Sequence, residues 1–120
     1  MRLSRSRGAT CRVSLRKGEE SFSAAASGAT SERARAELAA RAAAAAISQA
    51  EGLTPSLGIE IVLVVSTPER RYVLAIVNAQ RAREAVMLTG ACEIRDEVET
   101  AAALAALDAT NRWLEMGPRA

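Results

Sequence analysis

Ser23-Ala24-Ala25-Ala26-Ser27-Gly28 leads into an alanine-rich run over residues 34–47, and Thr89-Gly90-Ala91-Cys92 leads into a second such run over residues 98–114. Both stretches read as a strand ending in small residues, a polar turn and a helix. Setting Leu38 against Leu104 places Ala25 on Ala91 and Ala39-Ala40 on Ala105-Ala106. An internal repeat constrains architecture more than any single motif. Alanine is abundant throughout, so the shared order of elements carries this reading more than the identities do.

The strands on either side follow from periodicity. Cys11, Val13 and Leu15 alternate with Arg12, Ser14 and Arg16, the period of two of a half-buried strand. A turn over 16–20 leads to a second strand carrying Phe22, Ala24 and Ala26. Thr30 or Ser31 can cap the helix that follows, predicted over 31–50, with Arg33, Glu37 and Arg41 on one solvated face. Gly52 stops it, and residues 54–58 read as a linker. Residues 59–65, 72–77 and 85–94 are three further strands. Asp96 and Glu99 have capping-box spacing ahead of a last helix that Gly117-Pro118 ends near Met116. The predicted order is β-β-α-β-β-β-α, an α+β fold with an antiparallel sheet and two helices on one of its faces. Residues 1–9 read as a basic, flexible arm and 117–120 as a tail. Between them lies a single domain over 10–116, its first unit spanning 10–52 and its second 59–116.

At 120 residues the chain is long enough to bury a core without staples, and 49% of it is apolar. There is no histidine, which removes the usual neutral-pH acid–base group and the commonest metal ligand. Cys11 and Cys92 lack CxxC spacing and read as reduced core thiols, consistent with a cytoplasmic protein. The apolar runs are too short to span a bilayer. No phosphate-cradling glycine loop, nucleophile–base pair or partnered carboxylates can be found, so the reading is of a non-enzyme with neither cofactor nor metal. Six of the sixteen cations fall within residues 1–17 and no acid does, leaving ten cations against fourteen acids elsewhere.

Strands 59–65 and 72–77 are apolar on both faces, a pattern antiparallel strands show when both faces are covered. Two helices cover one. Full exposure of four or five large side chains on the other would forgo roughly 6–10 kcal/mol. The expected cover is a second copy in an isologous homodimer, with Ile61, Leu63, Val64, Leu74 and Ile76 at the interface. Asn111, in line with Leu104, Leu107 and Leu114, reads as a buried structural amide that ties the helix down.

Ala103-Leu104-Ala105-Ala106-Leu107-Asp108-Ala109-Thr110-Asn111-Arg112-Trp113 is similar to the second helix of the C-terminal regulatory and dimerisation domain of 2-isopropylmalate synthase, whose helix reads A-x-A-Y-x-x-A-L-N-[KR]-L. Asn111-Arg112 matches the family's Asn-basic pair, Ala106 replaces its tyrosine, and residues 24–28 and 89–92 stand where its two small-residue strand ends fall. The resemblance spans about residues 10–115. It implies two β-β-β-α units, a homodimer, and a small carboxylate or amino-acid ligand near Ala26, Gly28, Thr30, Gly90 and Cys92. It does not extend to the synthase reaction, because these residues contain no catalytic barrel. Two other readings stand beside a ligand-responsive module: a purely structural dimeriser, and an RNA-binding module resembling double-stranded RNA-binding domains. Against the last, the domain's first helix has no room here and Glu32 and Glu37 dilute Arg33 and Arg35, which argues against nucleic acid as a partner.

Overall fold

A computed structural model of the chain describes residues 2–5, 9–17, 19–28, 31–51, 56–81 and 83–116. Eight elements follow one another: β1 (Arg2–Arg5), β2 (Ala9–Lys17), β3 (Glu20–Gly28), α1 (Glu32–Ala50), β4 (Ser56–Ser66), β5 (Arg71–Arg81), β6 (Glu84–Glu93) and α2 (Val98–Met116). The class is α+β, with antiparallel strands and two helices. The strands divide into two sheets, β1-β2-β3 and β4-β5-β6, in which only consecutive strands pair. The protein is thus two β-β-β-α units.

Two segments differ from the sequence reading. Residues 2–5 belong to β1 rather than to a flexible arm, in a register that sets Arg2 opposite Arg12 and Leu3 opposite Cys11. Four residues with two arginines carry no strand signal of their own. They pair because β2 otherwise presents an open row of backbone donors and acceptors, and an edge strand tolerates charge. Residues 56–58, read as linker, begin β4, because β5 is long enough to pair them: Ser56 lies opposite Gln80 and Gly58 opposite Asn78.

Helix α1 starts where a hydroxyl can cap it. Ser31 is extended, and its Oγ accepts the Ala34 N–H at 3.2 Å. Glu32 in the first turn complements the helix dipole and pairs with Arg71 at the start of β5. Glu37 and Arg41 pair one turn apart on the solvated face. At the other end the Glu51 N–H donates to the Ile47 carbonyl at 3.0 Å, and Gly52 lies outside the described residues.

Helix α1 packs on β2, β3 and β4, α2 packs on β5 and β6, and the two helices pack on each other. Their contact faces are mostly alanine, including Ala39, Ala43, Ala46, Ala102, Ala105 and Ala106, all essentially inaccessible. Small side chains bring the backbones close. At Gly90 in β6 a Cβ atom would lie 2.1 Å from the Ala105 carbonyl oxygen and 2.4 Å from the Ala109 nitrogen, so α2 rests directly on the strand. Asp108 fastens the same contact by accepting the Ala91 N–H at 3.2 Å. Further along α2, Trp113 is buried, donates its indole N–H to Glu84 at 3.4 Å, and stacks under the Arg81 guanidinium, 4.2 Å from the ring centroid.

Glu99, read with Asp96 as a capping box, also ties α2 to α1. It is 2% exposed and pairs with Arg35 of α1 at 3.5 Å, joining the first turns of the two helices. Helix α2 begins at Val98, with the Glu97 carbonyl accepting from Ala101. Neither helix is long and apolar enough to cross a membrane.

Candidate functional site

The face of the β4-β5-β6 sheet turned away from the helices is apolar at its centre. In β5, Val73, Ala75, Val77 and Ala79 are buried against the helices, and Tyr72, Leu74 and Ile76 alternate with them on the outer side. Residues directly opposite one another across antiparallel strands share a face. The register sets Leu63 opposite Leu74, Ile61 opposite Ile76 and Val65 opposite Tyr72, and on the other side Ala91 opposite Leu74 and Met87 opposite Asn78. Polar groups border this centre, with Glu93 at one end and Asn78 and Gln80 at the other. Apolar centre and polar rim are the anatomy of a protein interface.

Four of the five expected interface residues, Ile61, Leu63, Leu74 and Ile76, lie together on this face. Val64 does not: it stands opposite Val73 on the helix side and packs against the core. Strand alternation alone separates Val64 from Leu63 beside it, and a β-bulge at Glu60, where the register shifts between Ile59 and Ile61, sets which of the two faces outward. One extra residue reverses the parity of everything after it, so Ile59 and Val64 face inward and Ile61 outward. Val65 and Met87, 42% and 52% exposed, belong to the outer face and were missed. The signal that finds them is cross-strand register rather than the composition of any one strand.

The expected ligand residues are not gathered at one place. Ala26 and Gly28 are in β3 and Gly90 and Cys92 in β6, strands of different sheets, while Thr30 lies outside the described residues. Gly90 opens no space for a ligand, because the helix backbone fills it. Cys92 is a free, half-buried thiol that donates to the Glu93 carbonyl at 3.5 Å and packs against the core.

Asn111 is exposed rather than buried. Helix α2 turns its alanines and Trp113 inward, which leaves Leu104 47% exposed and Leu107 and Leu114 half-buried on the outer stripe. Asn111 lines an open cavity of about 470 Å³ with Leu15, Ile47, Leu107 and Leu114. Arg16, Glu51 and Glu115 line it as well, so it mixes apolar and charged groups, and its size is within the roughly 300–1,000 Å³ of small-molecule sites. A second, polar cleft of about 530 Å³ lies between the β4–β5 turn and the start of α2. There Arg70 and Arg95 both pair with Glu93, and Glu69, Arg71 and Asp96 also line the cleft. Among the described residues no cluster of acids and cysteine is arranged to hold a metal ion.

Comparisons with protein-family models, curated proteins and solved structures return no match to this chain.

Proposed function

We propose that the protein is a non-enzymatic, self-associating regulatory module, in which two copies join through the outer face of the β4-β5-β6 sheet and a small carboxylate or amino acid is the regulatory ligand. The observation that carries the reading is the apolar centre of that face, formed by Ile61, Leu63, Leu74 and Ile76 on strands whose opposite side is already packed by helices. The two β-β-β-α units support the resemblance to the regulatory domain of 2-isopropylmalate synthase, since β1 supplies the third strand of the first unit. Neighbouring strands already shield most of these side chains to half-burial, so the penalty of leaving the face open is a fraction of the full-exposure value. A dimer of modest affinity that dissociates on dilution follows.

The test is light scattering with mass determination over a dilution series. The wild type is expected to shift from dimer to monomer on dilution. Leu74→Asp, at the centre of the outer face, is expected to remain monomeric and folded. Val64→Asp places a charge against the core and is expected to unfold the chain rather than merely dissociate it. A wild type that is monomeric at every concentration, or a Leu74→Asp chain that still dimerises, overturns the reading.

Gly90 favours a second reading, that of a purely structural dimeriser, because its small size serves helix packing. Thermal-shift screening against amino acids and short-chain acids separates the two. A ligand bound only by the folded chain raises its Tm by mass action, and that rise is the result expected of a regulatory module. A uniformly negative screen assigns the structural role.

A further inference from the structure

Helix α2 keeps a leucine stripe out of the core. Thr100, Leu104, Leu107, Asn111 and Leu114 follow one another at intervals of four, three, four and three residues. That is the spacing of alternating d and a positions in a heptad, the repeat of a helix that pairs with another helix. Thr100 and Asn111 are exposed, Leu104 is 47% exposed, and Leu107 and Leu114 are half-buried. The core is served instead by the alanines and Trp113 on the other sides of α2. Beside the C-terminal half of the stripe lies the cavity that Leu107, Asn111 and Leu114 share with Leu15 and Ile47, a hole able to receive a side chain from a neighbouring helix.

The positions flanking the stripe set the charge of what covers it. On one flank Asp108 and Glu115 are exposed, and Asp108 accepts the Ala91 N–H through one of its oxygens. On the other flank Ala103 and Thr110 are buried. A second copy of α2 laid parallel would bring only Ala103 and Thr110 against these acids. A helix with lysine or arginine at its own flanking positions pairs with them. We propose that α2 docks a basic amphipathic helix of a partner protein as a parallel two-stranded coiled coil. The partner's apolar residues meet Leu104, Leu107 and Leu114, and an asparagine meets Asn111. In a parallel pair each a position faces its counterpart, so an amide opposite Asn111 satisfies it. An apolar residue there would leave Asn111 unpaired once water is excluded. Asn111 thus fixes the register, which accounts for an amide within a row of leucines. A membrane is the poorer occupant, since a helix lying in a lipid interface has cations rather than acids along its polar face.

This inference is independent of self-association, which uses the outer face of the β4-β5-β6 sheet. Fluorescence anisotropy tests it with a labelled synthetic peptide of three heptads. The peptide has leucine at a and d, asparagine at its last a position, and lysine at both flanking positions, where repulsion keeps it monomeric. Wild-type protein is expected to bind this peptide, and to bind a version with glutamate in place of lysine about tenfold more weakly. Leu104→Ser is expected to weaken binding about tenfold at an unchanged Tm, because the side chain is half exposed in the free protein. Asn111→Leu distinguishes a coiled coil from a non-specific ionic contact. It is expected to weaken binding of the asparagine peptide and to strengthen binding of one with leucine at that position. No binding of the lysine peptide, unchanged binding by Leu104→Ser, or a peptide preference that does not follow residue 111 overturns the proposal. Dissociation of the wild-type dimer by Leu104→Ser, read by light scattering, would place a second copy on the stripe and overturns it as well.

Discussion

Gly90→Ala is expected to destabilise the protein by about 3 kcal/mol or more, the upper end of overpacking costs. The added methyl would sit 2.1, 2.4 and 2.9 Å from three backbone atoms of α2, belonging to Ala105 and Ala109. No rotamer change can relieve a clash with backbone, so the helix must lift from β6. That lift also breaks the bond from the Ala91 amide to Asp108 and draws Trp113 away from Arg81 and Glu84. Urea denaturation measures the loss. Gly58→Ala is the control: nothing lies within 4 Å of a Cβ there, and alanine is favoured over glycine in a strand by roughly 0.5–1 kcal/mol. A Gly90→Ala chain as stable as the wild type would show that α2 does not seat on the strand.

Arg35→Met carries the second large effect. Glu99 is 2% exposed, and Arg35 faces it from the other helix with its side chain 21% exposed. Removing one partner of a buried ion pair costs about 3 kcal/mol or more, most of it from the carboxylate left in a low-dielectric setting. Replacing both members with apolar groups of similar size is often neutral. Arg35→Met is therefore expected to lower stability by about 3 kcal/mol, and Arg35→Met with Glu99→Met to recover most of that loss. A double variant destabilised by the sum of Arg35→Met and Glu99→Met measured alone would mean that the pair has no coupling. The Arg35 Nε is buried without a hydrogen-bond partner among the described residues, so the guanidinium is not fully satisfied even in the native pair.

Residues with a local signal could be read from the chain directly. The Ser31 cap, the helix it begins and the alternation of β2 depend on neighbours a few positions away, and each lies where its pattern placed it. What escaped reading depended on a partner distant in sequence. Residues 2–5 form a strand only because β2 leaves an edge for them. Val64 could not share a face with Leu63, its neighbour in the strand, but which of the two faces inward depends on the bulge at Glu60, and a single strand shows no sign of a bulge until its register with the next is known. Glu99 has the spacing of a cap and also meets Arg35 across the helix pair. Asn111 was placed inside by the assumption that leucines mark the buried stripe of α2, whereas its alanines and Trp113 do. In this protein closeness of approach outweighs the area that larger side chains would bury.

Apart from Leu38 and Ile47, every buried side chain of α1 is alanine. Alanine surrenders no rotamer entropy on ordering, so the helix interface forms without that opposition. The same feature makes the contact smooth, since the ridges and grooves that lock one helix against another are built from longer side chains. Alanine surfaces alone would let α1 and α2 slide along one another with little change in energy. The Arg35–Glu99 pair holds their axial alignment instead while the Gly90 notch seats α2 on β6, and a chain altered at both would keep its helices while losing a unique placement for them.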